Sequence, residues 1–207
     1  MNQVWNKVNG DILGVGYGDF TFAEKAAEDG EARTGRVLCW SMRNPLFPER
    51  TIETASGVTA LDFSTLLPNL LAVGMYDGTV AIYNLKDANG PNGSLVTPLL
   101  DSSQLAEKHM DPVWQVKWVN KGAERGEALV SISTDGRVVE WSMKKGLAST
   151  TLMVLKRRGN SEGVISRQAS GLSFDFPHSD HSTYFAGTEE GAIHKCSCSY
   201  NEQYLDT

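Results

Sequence analysis

Large apolar residues alternate with polar ones in a pattern that recurs along this 207-residue chain. In the clearest copy, residues 113–119 read Val-Trp-Gln-Val-Lys-Trp-Val, which predicts a strand buried on one face. Two β-rich runs follow between Leu129 and Ser142 and meet at Thr134-Asp135-Gly136. An Asp-Gly pair between such runs predicts a hairpin, because glycine supplies the positive φ that a tight turn requires. This copy therefore predicts one strand, a connection and a hairpin.

Three further copies of the same pattern are present. They comprise a strand at 58–64 with a hairpin at 70–83, a strand at 169–176 with a hairpin at 184–196, and an opening copy at 12–17 and 35–40. The glycines aligned as turn residues are spaced by 43, 58 and 55 positions: Gly35, Gly78, Gly136 and Gly191. A period of about 40–45 residues with four strands per unit is typical of a β-propeller blade, and the excess is expected in loops. The predicted fold class is an all-β propeller.

The repeat predicts about four antiparallel, four-stranded blades, with approximate bounds at residues 1–54, 55–100, 108–156 and 165–207. Outer strands are expected at 51–54, 95–100 and 150–155, and the Ala- and charge-rich stretch 23–34 is expected to be a long loop. The chain begins and ends within the pattern, and an open array would leave unpaired strand edges. We therefore expect these blades to be part of a larger propeller with seven blades.

Composition narrows the function classes. A hydrophobic fraction of 41% is sufficient for a sizeable core, and a net charge of −6 argues against a general nucleic-acid-binding face. The three cysteines, Cys39, Cys196 and Cys198, are too few for a disulfide framework and indicate a reducing compartment. No apolar run reaches the roughly 18–20 residues needed to cross a bilayer, and the start of the chain does not resemble a signal peptide. The expected location is the cytoplasm, without membrane contact.

Two clusters have the residue types of a metal site. His178-Ser179-Asp180-His181, with Asp175 nearby, could bind a metal ion, but a polar loop is favoured because no matched second pair of ligands is present. Cys196-Ser197-Cys198 places two thiols on one face of a strand, and a zinc site would need two more ligands. Buried strand thiols are therefore the favoured interpretation.

Other segments have weaker functional interpretations. The glycine-rich stretch 14–18 lacks the following helix that a phosphate-binding turn needs. Three consecutive basic residues, Lys156, Arg157 and Arg158, could contact an acidic partner, although a solvated loop is favoured. Trp118 and Trp141 are expected in the core, whereas Trp114 could equally well face a partner. No catalytic, cofactor or metal site is predicted.

The third unit resembles the blades of WD-repeat proteins. It has His109 before the inner strand, Ser131 or Ser133 on the second strand, Asp135 in the turn and Trp141 on the third strand. In that family these residue types form a hydrogen-bonded network within each blade, and buried polar groups of this kind can satisfy one another. The other units depart from the pattern and retain only parts of it, which are Asp77, Tyr83 and Trp40. The Trp-Asp dipeptide that names the family is absent.

Four segments resemble one branch of that family, the dynein intermediate chains. They occur in order at residues 39–49, 72–85, 108–118 and 187–197. The likeness is greatest to the axonemal outer-arm intermediate chain that pairs with a second, different intermediate chain. The first segment contains the Asn-Pro-x-x-Pro-Glu pattern, and the third reads Lys-His-Met-Asp-Pro-Val-Trp-Gln-Val-Lys-Trp.

The resemblance implies a non-catalytic scaffold subunit of an axonemal dynein that supports movement of a cilium or flagellum. Its expected partners are the dynein heavy-chain tail and a second intermediate chain. In that family light chains bind N-terminal segments that have no counterpart in these residues. The alternative is a generic WD-repeat adaptor that binds peptides in another complex, and such a reader would need a convergent pocket at the top of the propeller. An enzyme would need convergent carboxylates, histidines or metal ligands, which the sequence does not offer.

Overall fold

The computed structural model describes residues 2–18, 34–87, 94–95, 97–122, 124–157, 168–177 and 180–200. Strands dominate these residues, in agreement with the predicted all-β class. In chain order the strands are β1 (Asn2–Trp5), β2 (Ile12–Gly18), β3 (Gly35–Ser41), β4 (Arg50–Thr54), β5 (Val58–Phe63), β6 (Leu70–Met75), β7 (Val80–Asn84), β8 (Ser94–Leu95), β9 (Leu100–Asp101), β10 (Val113–Asn120), β11 (Glu127–Ser133), β12 (Arg137–Ser142), β13 (Ala148–Val154), β14 (Gly171–Asp175), β15 (Thr183–Thr188) and β16 (Ile193–Ser197). A short 3-10 helix occupies Met143–Lys145. Among the described residues, no helix has the length and apolar character needed to cross a membrane.

The strands form four separate sheets that follow one another along the chain. Sheet 1 is β1-β2-β3-β4-β8, sheet 2 is β5-β6-β7-β9, sheet 3 is β10-β11-β12-β13 and sheet 4 is β14-β15-β16. All neighbours are antiparallel except β4 and β8, which pair in parallel through Thr51 and Ser94. In each sheet the strand order follows the chain, as in a propeller blade. The first strands of successive sheets lie next to one another, with β5 in contact with both β1 and β10.

One predicted outer strand is wrong. The stretch 95–100 was expected to be a single strand, but it is divided between β8, which pairs with sheet 1, and β9, which pairs with sheet 2. Pro98 lies between the two pieces. Proline has no N–H to donate to a ladder, so pairing resumes after it, where Leu99 N donates to Ile82 O at 2.8 Å. The expected loop at 23–34 falls almost entirely outside the described residues.

The alignment of Gly35 with the turn glycines is also wrong. Gly78, Gly136 and Gly191 have φ values of +85°, +77° and +78° in their turns. Gly35 instead is the first residue of β3, and a Cβ built there would lie 2.3 Å from Ser56 O. Close approach of the β4–β5 connection to β3 requires this glycine, whereas a left-handed turn requires the others.

The core lies in three layers, one between each pair of successive sheets. Strand β6 shows why, because all six of its residues are buried. Leu71 and Val73 pack in the layer between sheets 1 and 2, whereas Leu70 and Ala72 pack in the layer between sheets 2 and 3. Since alternate side chains of a strand point to opposite faces, a sheet covered on both sides needs a continuous apolar run. The run 70–75 is such a sequence.

Candidate functional site

The most complete polar constellation lies in sheet 3. His109 precedes β10, and its Nδ1 lies 2.9 Å from Asp135 Oδ2 in the β11–β12 turn. Its Nε2 lies 2.7 Å from Ser131 Oγ, which also accepts a hydrogen bond from Trp141 Nε1 at 2.8 Å. Because a carboxylate can only accept, His109 Nδ1–H donates to Asp135. The structure thus brings these four sequence-predicted residues into one hydrogen-bonded chain, which we call the sheet-3 network.

The sheet-3 network has the residue types of a hydrolase triad, but its burial is different. Ser131 is 0% exposed and His109 is 1% exposed, so neither presents a reactive atom to a substrate. The indole N–H of Trp141 also occupies Ser131 Oγ, the atom that would act as nucleophile in such a triad. The arrangement connects a loop, a turn and two strands, and it suits structural stabilisation.

Arg137 completes the environment of Asp135 and was missed by sequence reasoning. Its backbone N donates to Asp135 Oδ1 at 2.9 Å and its Nε to Oδ2 at 3.0 Å, and its guanidinium also reaches Lys108 O at 2.6 Å. Burial alone would raise the pKa of Asp135, but the contacts from His109 and Arg137 outweigh it and lower the pKa to about 2. In the sequence, the position of Arg137 two residues after the turn aspartate could have indicated this contact.

Asp135→Asn is expected to destabilise the full-length protein most at neutral pH. The pKa falls from an ordinary 3.8 to about 2, which corresponds to roughly 2 kcal/mol of folding free energy. Because the folded pKa is the lower one, the carboxylate stabilises the fold above the unfolded value of 3.8. That contribution is lost as the pH falls towards about 2. Urea denaturation at several pH values should therefore show the gap between wild type and variant narrowing below about pH 4.

Asp77→Asn is the matched control for that prediction, since Asp77 occupies the same turn position in sheet 2. Its carboxylate accepts from Thr79 N at 3.0 Å and Lys108 Nζ at 3.1 Å, but its side chain is 41% exposed. Because Asp77 is less desolvated than Asp135, Asp77→Asn should lower the free energy of unfolding by no more than about 1 kcal/mol. A gap between wild type and Asp135→Asn that stays constant with pH would contradict the account.

The remaining predicted network residues lie apart from the sheet-3 network or at its edge. Ser133 Oγ donates to Asp111 O at 2.9 Å and so ties β11 to the loop before β10. Tyr83 is 2% exposed in the layer between sheets 1 and 2, and burial raises its pKa to about 12. Trp40 has the equivalent position in sheet 1 but is only partly buried. In the part of the chain that the structure describes, neither Tyr83 nor Trp40 has a histidine as hydrogen-bond partner.

A second buried polar cluster, centred on Asp62 in β5, was not predicted. Asp62 Oδ2 accepts from Lys7 Nζ and from Trp118 N, both at 2.7 Å, and Asp62 O accepts from Trp118 Nε1 at 3.2 Å. These contacts join sheets 1, 2 and 3 near their first strands. Burial raises the pKa of Asp62, and the contact with Lys7 opposes that effect. A lone carboxylate in the apolar run 58–63 was the sequence signal.

The predicted partner contacts have different environments. Trp114, at the start of β10, is 38% exposed, and its Nε1 donates to Thr134 Oγ1 at 2.6 Å. Arg157 pairs with Glu189 at 2.5 Å and with Glu190 at 3.2 Å, so its charge is engaged by sheet 4. Lys156 is exposed next to it, and Arg158 lies outside the described residues. Trp114 therefore offers the largest partly exposed aromatic surface among these candidates.

The alternative chemistries find little support in the geometry. Within the described ranges, which omit His178, no group of three or more His, Cys, Asp or Glu side chains could hold a metal ion. Burial raises the pKa of Cys196 to about 12 and also raises that of Cys198, which favours the protonated thiols. The glycine-rich stretch 14–18 lies within β2, which is paired on both sides.

Comparison with solved structures supports the propeller fold. The chain matches the crystal structure of the C-terminal WD40 domain of Sif2 with a TM-score of 0.59, over 95% of this chain and 42% of that chain. The sequence identity is 17%, so this likeness concerns the fold alone. No family model matches the chain.

Comparison with curated proteins gives much higher identity. The chain is 50% identical to dynein axonemal intermediate chain 4 of Xenopus laevis and 48% identical to that of Homo sapiens, in each case over 98% of its length. It is 39% identical to dynein axonemal intermediate chain 1 of Bos taurus, again over 98%. Over nearly its whole length the chain is therefore similar to axonemal dynein intermediate chains. It spans 28%, 24% and 28% of those three relatives, which is about a quarter of their length.

Proposed function

We propose that this chain is a non-catalytic scaffold subunit of an axonemal dynein, whose propeller binds the heavy-chain tail and a second intermediate chain. The proposed location is the axoneme of a cilium or flagellum, within the cytoskeleton, where the complex supports movement. The observation that carries the proposal is the 50% identity over 98% of the chain to an axonemal dynein intermediate chain.

The internal chemistry supports a scaffold. The histidine, serine and aspartate that could have served catalysis are engaged with one another beneath the surface. Contacts of Asp62 and Arg157 connect successive sheets, so each sheet is held in position by its neighbours. Loops held by fixed sheets at their two ends lose less conformational entropy when a partner binds.

Association with an outer dynein arm is the finer part of the proposal, and it comes from the sequence resemblance. Removal of the full-length protein from ciliated cells is expected to deplete outer arms in axoneme cross-sections. If a different set of arms is depleted and the outer arms are intact, the protein would be assigned to that other set of arms.

Affinity purification of the tagged full-length protein from ciliary extract tests the assembly role. The proposal predicts recovery of a dynein heavy chain and a second intermediate chain, identified by mass spectrometry. Recovery of another complex without dynein subunits would instead favour the generic peptide-binding adaptor.

Trp114→Ala is expected to weaken binding of the full-length protein to the heavy-chain tail by at least about 2 kcal/mol, or roughly 30-fold in Kd. A partly exposed tryptophan fixed by a hydrogen bond loses little conformational entropy on binding and buries a large aromatic surface. Phe47→Ala, in the loop after β3 and 71% exposed, is the matched control and should leave the Kd unchanged. If Phe47→Ala weakens binding and Trp114→Ala does not, the heavy-chain tail would instead contact the loop after β3.

A further inference from the structure

A lysine and a cysteine meet at the junction of sheets 3 and 4. Lys121 directly follows β10 in sheet 3, and Cys198 directly follows β16 in sheet 4. Lys121 Nζ lies 3.6 Å from Cys198 Sγ, although 77 positions separate the two residues along the chain. No local pattern encodes a contact over that separation, so the sequence indicated only a buried strand thiol.

The ammonium group of Lys121 is held in place from several sides. Its Nζ also lies 2.9 Å from Glu140 Oε2 in β12 and 5.3 Å from the centroid of the Phe176 ring. The side chain of Lys121 is only 11% exposed, and that of Glu140 is 30% exposed. The amine therefore has few alternative positions, and it stays close to the sulfur of Cys198.

Cys198 is the cysteine of this chain that an oxidant can reach most readily. It is only partly buried, and it lines a groove of about 910 Å³ together with Lys121. Cys39 and Cys196 are at most 1% exposed, and burial raises the pKa of each thiol to about 12. Burial also raises the pKa of Cys198, but the charge of Lys121 opposes that effect. Since thiol oxidation follows exposure and thiolate character, it should begin at Cys198.

We propose that Lys121 and Cys198 form an oxidative cross-linking site, at which a hydroperoxide joins the two side chains through a sulfur–nitrogen bond. In the first step the O–O bond of the hydroperoxide breaks, one oxygen atom bonds to the sulfur, and the thiol becomes a sulfenic acid. The other oxygen atom leaves as water or as an alcohol. The sulfur is oxidised by two electrons, and the hydroperoxide is reduced by the same number.

The second step condenses the sulfenic acid with the neighbouring amine. Lys121 first transfers one proton to Glu140, which lies within hydrogen-bond distance. The nitrogen lone pair then bonds to the sulfur, the S–O bond breaks, and the hydroxyl group leaves as water with a second proton from the nitrogen. A sulfenic acid condenses with a backbone nitrogen in the same way, so no further reactant is needed.

The bond would fasten sheet 3 to sheet 4 and change the charge of the groove between them. A cross-link between residues 77 positions apart restricts the unfolded chain, so the oxidised protein should be more stable than the reduced one. The groove would also lose the positive charge of Lys121. Products of a sulfenic acid are reversible, so a thiol reductant should restore both side chains. This inference does not depend on the proposed dynein role.

Peptide mapping of the full-length protein after treatment with hydrogen peroxide tests the proposal. The peptide that contains Lys121 should be joined to the peptide that contains Cys198, with a mass two hydrogen atoms below the sum of the two, and dithiothreitol should separate them. Met110, which is 81% exposed, reports that the oxidant has acted on the protein. Oxidation of Met110 without the joined peptides, or a disulfide confined to Cys196 and Cys198, would overturn the proposal.

Two conservative variants of the full-length protein test the chemistry of the pair. Lys121→Arg keeps a cation beside the thiol, but a guanidinium stays protonated and offers no nitrogen lone pair, so the sulfenic acid should persist and react with dimedone. Cys196→Ser changes the buried neighbour, and this variant should cross-link as the wild type does. Oxidation should raise the Tm of the wild type but not that of Lys121→Arg. Joined peptides in Lys121→Arg at the wild-type yield would overturn the proposal.

Discussion

Trp141→Ala is expected to lower the free energy of unfolding by about 3–5 kcal/mol in the full-length protein. The indole is 0% exposed and packs in the layer between sheets 2 and 3 with Leu129, Val139 and Leu147. Its truncation would leave a cavity and would remove the donor to Ser131 Oγ at 2.8 Å. It would also remove the edge-on contact with His109, whose ring centroid lies 5.9 Å away. Urea denaturation followed by circular dichroism measures the loss.

Two controls separate packing from hydrogen bonding at this site. Trp141→Phe keeps most of the apolar volume but loses the N–H, so its cost should be intermediate, at about 1–3 kcal/mol. Trp114→Ala removes the same side chain from a position that is 38% exposed, and it should cost less than either. A Trp141→Ala variant as stable as the wild type would contradict the placement of Trp141 in the core.

Gly78→Ala is expected to be the second most damaging change, at about 2–5 kcal/mol. Gly78 has a φ of +85°, where alanine is strained. A Cβ there would also lie 2.2 Å from His109 O, a backbone atom of the loop that carries the network histidine. Backbone cannot move aside as a flexible side chain can, so the substitution should displace His109 as well as strain the turn.

Gly191→Ala separates the effect of backbone strain from that of the close contact between Cβ and a neighbouring backbone atom. Gly191 has the same turn position in sheet 4 and a φ of +78°, but nothing lies within 4 Å of its built Cβ. Its cost should be limited to the backbone strain of about 1–2 kcal/mol. Thermal denaturation of the two variants should therefore give a larger fall in Tm for Gly78→Ala, and equal falls would show that the contact with His109 carries no cost.

Local patterns predicted much of the fold. Alternation and Asp-Gly turns indicated the inner strands and hairpins, because both signals are contained within a few residues of chain. The four residues of the sheet-3 network could be named because their types match a known pattern at the right spacing. These four residues come together only if the chain between positions 109 and 141 folds as predicted. The hydrogen-bond distances between His109 and Asp135 and between Trp141 and Ser131 show that they do.

Contacts between sheets could not be predicted in the same way. Asp62 meets Trp118 across 56 positions and Lys7 across 55, so no local pattern encodes them. Gly35 resembled a turn glycine by its place in the repeat, but a glycine is required there because Ser56, in the connection between β4 and β5, lies too close for a Cβ. The division of 95–100 into β8 and β9 had a local signal in Pro98, whereas the parallel pairing of β8 with sheet 1 had none.

Many polar side chains of the described structure connect its own sheets and loops. Such connections suit the proposed scaffold role, because a scaffold must hold its partner-binding surfaces in fixed positions. The sheet-3 network and the Asp62 cluster stabilise the structure at different places. One fixes a loop and a turn within a sheet, and the other joins three sheets.

The most direct test of the assembly role is co-sedimentation of the full-length protein with dynein heavy chain. Axonemes would be extracted with high salt and the extract separated on a sucrose gradient, with both proteins quantified in every fraction. The account predicts that the protein peaks with a dynein heavy chain at a constant ratio across the peak. A protein that sediments separately, with the heavy chain intact elsewhere in the gradient, would contradict it.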